Sequence, residues 1–205
     1  MNCLDLFCGT KSFTKEAIKF GYECYTVDIL EEFEPTFCCD ILEWDYKQFP
    51  RGFFKIIWAS PNCKDYSSLN FLSAKKKDLT HSNKLVEKTI EIIEYFNPTY
   101  WYMENPDGGL LRDQDCITMN WLPHNTIDYC KYGFSTRKRT RIWNDNPLWT
   151  GRSICQGDNR CKIKKDTNKH VNFRWITRGP GKTSRWEERI KIPKDLMVEI
   201  LQCSP

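Results

Sequence analysis

Over the first two thirds of the chain, short apolar runs alternate with stretches of helical spacing. Residues 2–7 are a short, mostly apolar run that ends at Cys8-Gly9, and residues 12–20 read as a helix stopped by Gly21. Residues 22–29 predict a second strand, with Asp28 at its end, and residues 37–40 a third. The run Phe-Phe-Lys-Ile-Ile-Trp-Ala at 53–59 predicts a buried strand, broken by Ser60-Pro61. Residues 79–96 place Leu85, Thr89, Ile92, Ile93 and Phe96 on one helical face, and Asn97-Pro98 ends the helix. Residues 99–103 predict another strand, leading into Glu104-Asn105-Pro106. Strands separated by helices build βαβ units, so the expected fold is α/β, a doubly wound, mostly parallel sheet covered on both faces.

Beyond Tyr129 the texture changes. Residues 144–185 are rich in Asn, Gly, Lys and Arg and keep no period, which predicts a small, basic, loop-rich insert. From Ile192 to Gln202 a last helix is expected, with Pro193 in its first turn. The expected organisation is a catalytic and cofactor-binding unit over 1–143, the insert over 144–188, and a closing helix over 189–205.

Composition narrows the class. Hydrophobic residues make up 40 % of the 205, enough for one core, and charged residues 28 %, so the chain is neither disordered nor fibrous. No apolar run approaches the about 18 residues of a membrane span, and the first residues lack a signal-peptide pattern. The eleven cysteines are an odd number without a regular framework, which predicts a reduced intracellular protein and excludes a secreted disulfide scaffold.

Charge is divided unevenly. Residues 1–136 carry 14 Lys and Arg against 20 Asp and Glu, and residues 137–205 carry 17 against 7. A basic third interleaved with Trp143, Trp149, Phe173, Trp175 and Trp186 points to a polyanion, nucleic acid foremost.

In a parallel α/β sheet, ligands bind beyond the carboxyl ends of the strands. Asp5-Leu6-Phe7-Cys8-Gly9-Thr10 brings backbone N–H groups close to a ligand at Gly9, and Asp28 stands one strand later, where an acid reaches ribose hydroxyls. Asp40-Ile41 follows at the next strand end. This is the pattern of a nucleoside cofactor without a pyrophosphate loop, since G-x-G-x-x-G is absent. Gly179-Pro180-Gly181-Lys182-Thr183 is not a P-loop, because Ile176 stands where the first glycine is required. Cys63 ends the most apolar strand run, where a lone cysteine reads first as a core or bystander thiol; Glu104, after another strand, would lie in the same crevice, which leaves a nucleophile and carboxyl pair as the alternative. Cys155, Cys161 and His170 lack the tight spacing and the fourth ligand of a zinc site, so no metal is expected. His81 and His124 read as surface or capping residues.

The order of these motifs resembles the cytosine-C5 DNA methyltransferase family, particularly its compact viral and phage-type members. Asp5 to Thr10 resembles the opening S-adenosylmethionine motif, with Asp28 and Asp40 matching the ribose and adenine partners. Ser60-Pro61-Asn62-Cys63 resembles the Pro-Cys nucleophile motif, and Glu104-Asn105-Pro106 resembles Glu-Asn-Val. Arg137-Lys138-Arg139-Thr140-Arg141 resembles Gln-x-Arg-x-Arg, and residues 189–196 resemble the closing segment. Asn62 stands in place of the usual proline, Lys11 (or Ser12, if the turn is one residue longer) in place of the second glycine, and Arg137 in place of the glutamine. The recognition segment is shorter than the family usually has.

The resemblance implies a Rossmann-like, S-adenosylmethionine-dependent enzyme acting on double-stranded DNA, with a flipped cytosine attacked by Cys63 and held by Glu104, Arg139 and Arg141. It implies Asp5, Phe7, Cys8, Gly9, Thr10, Asp28, Ile29, Asp40, Ile41 and Pro61 as the cofactor site. Two alternatives keep the same residues: an RNA cytosine-C5 methyltransferase similar to the tRNA-modifying branch, and a catalytically idle binder of nucleic acid or S-adenosylmethionine.

Overall fold

The computed structural model describes residues 1–66, 78–120, 122–156, 161 and 190–205. Its strands are β1 (Asn2–Leu6), β2 (Glu23–Asp28), β3 (Phe37–Cys38), β4 (Ile56–Ala59), β5 (Tyr100–Pro106), β6 (His124–Asp128) and β7 (Arg139–Trp143). Its α-helices are α1 (Ser12–Ala17), α2 (Thr80–Phe96), α3 (Asp115–Thr118) and α4 (Lys194–Gln202).

The strands form one seven-stranded sheet in the order β3-β2-β1-β4-β5-β7-β6. The β1–β2, β1–β4, β2–β3 and β4–β5 pairs are parallel, while β7 runs antiparallel to both β5 and β6. Two connections lead outward from β1 to β3, and the next jumps back to place β4 on the other side of β1. That reversal of winding lies between β1 and β4, and the loops after these two strands open side by side, tied by Ser60 N–H donating to Leu6 O at 3.1 Å.

Alternation along the strands sends side chains to two separate cores. Leu4, Leu6, Ile57, Ala59, Met103 and Trp143 pack with Val86, Ile92 and Phe96 of α2 and with Ile117 of α3. Cys3, Ile56, Trp58, Tyr102, Ile127 and Ile142 pack with Phe13 and Ala17 of α1 and with Leu196, Met197, Ile200 and Leu201 of α4. The sheet is therefore covered on both faces, as the alternating sequence predicts. Burying the four α4 side chains contributes roughly 6–12 kcal/mol before entropy is charged, so the C-terminal segment belongs to the core. None of the described helices is long and apolar enough to cross a membrane.

Several expectations are adjusted. Helix α2 buries Val86 fully, while Leu85 sits at the edge of the buried face. Pro193 precedes α4 instead of lying in its first turn; its ψ of 132° is extended. Strands β6 and β7 have no counterpart in the sequence reading. The beginning of the expected insert is packed on the main body: Asn146 and Trp149 are buried, and Asn146 Nδ2 donates to Tyr102 Oη at 2.7 Å and to Cys203 O at 2.8 Å. Most of the remaining insert, with His170, lies outside the described residues.

Candidate active site

The loop from Phe7 to Lys11 is shaped by three left-handed residues within five positions: Phe7 at φ 57°, Gly9 at φ 45° and Lys11 at φ 56°. Only glycine adopts this region without steric cost, so the loop carries strain at two of the three. Gly9 N–H donates to Asp28 Oδ2 at 2.9 Å, and Leu30 N–H donates to Asp28 Oδ1 at 3.0 Å. Asp28 thus locks the β1 and β2 loops together while staying partly exposed. The expected glycine N–H is already engaged by this carboxylate, so the outward-facing polar group of the pair is Asp28 itself. Ile29 beside it is 63 % exposed, an apolar surface against solvent at a strand end. Asp40 holds its own turn through Leu42 N–H at 2.9 Å and is also partly exposed.

Four of the expected cofactor residues act from beneath. Asp5 is buried and accepts the Thr14 hydroxyl at 2.6 Å, which fixes the start of α1. Burial pushes its carboxyl up to about 7, with Asp28 adding to the rise and the Thr14 bonds opposing it. Cys8 is buried, its thiol pushed up to about 12 mainly by desolvation, and its N–H goes to Val27 O. Ile41 packs in the core, and Pro61 is buried with its carbonyl engaged. Phe7, Gly9, Thr10, Asp28, Ile29 and Asp40 are the ones that reach the surface.

At the neighbouring strand ends, Asn105 is fully buried and its Nδ2 donates to Pro61 O at 2.9 Å, which ties the Pro61-Asn62-Cys63 turn to β5. Asn62 caps the turn by accepting Lys64 N–H at 3.0 Å. Glu104, one residue before Asn105 and on the opposite face of β5, is 6 % exposed. Its Oε1 accepts the Tyr129 hydroxyl at 3.0 Å and pairs with Lys138 Nζ at 3.3 Å. Cys63 is half-buried and near enough to Tyr129 for its charge to raise that phenol, whose acidity is weakened chiefly by burial and by Glu104. Glu104 and Cys63 thus both act on Tyr129, the first by a hydrogen bond and the second through its charge.

Arg139 and Arg141 lie on the other face of β7. Arg139 makes a two-pronged contact with buried Asp128, at 3.2 and 3.0 Å, and Arg141 pairs with Asp107 at 2.8 Å. The resemblance assigns these arginines to the flipped base; Lys138 and Tyr129, to which it assigns no role, are the residues that contact Glu104. The signal for Lys138 was available: on a strand, residues 139 and 141 share one face and 138 the other. Tyr129 had no comparable signal, because it follows a strand that the sequence hides. His81 and His124 are exposed, as expected.

The fold is the α/β, Rossmann-like architecture of methyltransferases. The structure is similar to that of a prophage-encoded DNA modification methyltransferase (E. coli), with a TM-score of 0.55 and 14 % identity over 76 % of this chain. It is also similar to S. pombe Dnmt2 methyltransferase, with a TM-score of 0.53 and 12 % identity over 90 % of this chain. The chain spans 52 % and 62 % of those two proteins. No protein-family model matches it. The chain belongs to the DNA (cytosine-5)-methyltransferase family: it is 34 % identical, over 98 % of its own length and 99 % of the relative's, to the "Probable DNA (cytosine-5)-methyltransferase" of Frog virus 3 (isolate Goorha).

Proposed function

We propose that the chain methylates cytosine at carbon 5 in double-stranded DNA, through a covalent bond between Cys63 and a flipped base. The observation that carries this reading is the bond from Asn105 to the Pro61 carbonyl, because it holds the Cys63 turn against the strand that bears Glu104. Carbon 5 of cytosine is too weak a nucleophile to take a methyl group unaided. Addition of the Cys63 thiolate to carbon 6 pushes electron density onto carbon 5 and onto ring N3. Glu104 faces N3 and stabilises that charge by sharing a proton with it. Tyr129 and Lys138 both engage Oε1, so Oε2 is the oxygen assigned to the base. Loss of the carbon 5 proton then re-forms the ring double bond and expels Cys63.

The residues at the β1 and β2 ends fit S-adenosylmethionine: a partly exposed carboxylate at Asp28 for the ribose, the exposed Ile29 for an apolar ring face, and Asp40 beyond. The left-handed Gly9 leaves the loop without a Cβ on that side. When bound, S-adenosylmethionine supplies an electrophilic methyl group. Arg139 and Arg141, fixed by Asp128 and Asp107, position the β7 rim that carries Lys138. Flipping costs a few kcal/mol of unstacking, which basic contacts to phosphate offset, so binding should weaken steeply with salt.

The test is a covalent trap with S-adenosylmethionine and a duplex carrying 5-fluorocytosine, whose fluorine cannot leave as the proton does. A denaturation-resistant adduct mapping to Cys63, absent in Cys63→Ala, is the expected result. An adduct only on fluorocytosine RNA would transfer the acceptor to RNA, and none on either, with S-adenosylmethionine still bound, would overturn the reading.

A further inference from the structure

Three cysteines stand apart from both cores and from the reaction centre. Cys130, Cys155 and Cys161 form their own buried cluster, at 4 %, 2 % and 1 % exposure. Cys130 precedes β7, and Cys155 and Cys161 lie six residues apart beyond it, yet all three sulfurs lie within 4.8 Å of one another. Cys130 belongs to the single 3-10 turn Tyr129–Tyr132 between β6 and β7. Cys155 is held by its backbone, whose N–H donates to Asp128 Oδ2 at 2.8 Å. Cys161 lies just before the most basic part of the chain.

We propose that Cys130, Cys155 and Cys161 together bind a zinc ion as a structural site. Zinc takes thiolates at about 2.3 Å in a tetrahedron, which sets neighbouring sulfurs about 3.8 Å apart, so the trio needs only a modest contraction. The donor set is soft and all sulfur, which selects zinc over magnesium or calcium. Each Zn–S bond replaces an S–H bond and releases its proton to solvent, with no change of oxidation state. The fourth position falls to solvent or to another donor. Three thiolates on a divalent cation leave one negative charge, and the neighbourhood suits it: Arg139 grips Asp128 at 3.0 Å, Arg137 lies 3.9 Å from the same carboxylate, and Asp128 in turn orients Cys155.

The bland alternative is three thiols packed as small apolar groups. Burial pushes the Cys130 thiol well above its ordinary value, with Cys155 and Cys161 adding to the effect. Convergence of Cys130 on the distant Cys155–Cys161 pair, coupled through Asp128 to two arginines, favours a site over chance packing. The zinc would fasten the chain at Cys161 to the turn that begins with Tyr129, the residue that holds Glu104. This inference does not depend on the proposed reaction.

The experiment is metal analysis of the whole chain, purified under reducing conditions without chelator. About one zinc per chain is expected, largely lost in Cys130→Ser, Cys155→Ser and Cys161→Ser and retained in Cys38→Ser. Should a variant fail to fold, cobalt in the unaltered protein provides the second readout: a sulfur-to-metal charge-transfer band of three-thiolate intensity and a tetrahedral ligand-field spectrum. Failure of the reduced, metal-free chain to take up either metal stoichiometrically would overturn the proposal. So would a disulfide between any two of the three cysteines in freshly isolated protein.

Discussion

Lys138 places its ammonium 3.3 Å from Glu104 Oε1, with only 14 % and 8 % of the two side chains exposed. The same ammonium lies 4.8 Å from the centre of the Tyr129 ring, so one cation steadies both members of the Tyr129–Glu104 pair. Removing it with Lys138→Met leaves a buried carboxylate without its counter-charge, at a cost of up to about 3 kcal/mol. Turnover should fall by ~10²-fold through misplacement of Glu104, mostly in kcat, with S-adenosylmethionine affinity unchanged. Lys138→Arg should recover part of it. Steady-state kinetics with cofactor titration checks the split, and a loss confined to KM would refute the assignment.

Asp5 gives the fold a pH dependence of unusual sign. Its carboxyl sits near about 7 in the folded chain against an ordinary 3.8, raised by burial first and by Asp28 second. A raised carboxyl binds more protons folded than unfolded, so its contribution is complete below about 3.8 and is lost as pH climbs through about 7. Thermal unfolding of Asp5→Asn, compared with the unaltered protein from about pH 5 to about pH 8, should show a relative gain in the variant that grows with pH. A difference that stays constant across that range would contradict the buried, protonatable carboxyl.

Asn146 joins the segment after β7 to Tyr102 in the sheet and to Cys203 at the end of α4. Asn146→Ala removes both bonds, leaving the Tyr102 hydroxyl to Ser204 Oγ at 2.9 Å, and should cost about 2–3 kcal/mol. A drop in Tm of roughly 4–10 °C, read by circular dichroism, is the expected outcome.

Lys11 occupies a left-handed position where the family motif carries glycine, at φ 56°. Lys11→Gly should raise stability by up to about 1 kcal/mol, since the steric cost removed exceeds the chain entropy added. The urea midpoint measures it. A marked loss would instead mean that the Lys11 Nζ bond to Glu34 O, at 2.6 Å, outweighs the strain.

The parallel half of the sheet was legible because its strands are buried on both faces and read as apolar runs. Phe54, Ile56, Ile57, Trp58 and Ala59 are all 1 % exposed or less. β6 escaped notice because it lies at the edge and carries one apolar residue, Ile127. β7 escaped because basic residues alternate with buried ones, and a resemblance to a motif drew attention to the arginines. Cys63 and Glu104 stand at strand ends, but it is the resemblance to the family motifs that singles them out. The third sulfur of the cysteine trio was not legible, because Cys130 and Cys155 are brought together by the path through β7, a tertiary event that local spacing does not encode.

Between Cys161 and Ile190 the sequence carries nine Lys and Arg against three Asp and Glu. Both flanking residues are anchored at the functional rim: Cys161 clusters with Cys155, whose N–H meets Asp128 at the end of β6, and Ile190 packs on Gly9. Under the proposed function, these nine cations are charge available to phosphate, and the salt dependence of DNA binding is the quantity that would register them.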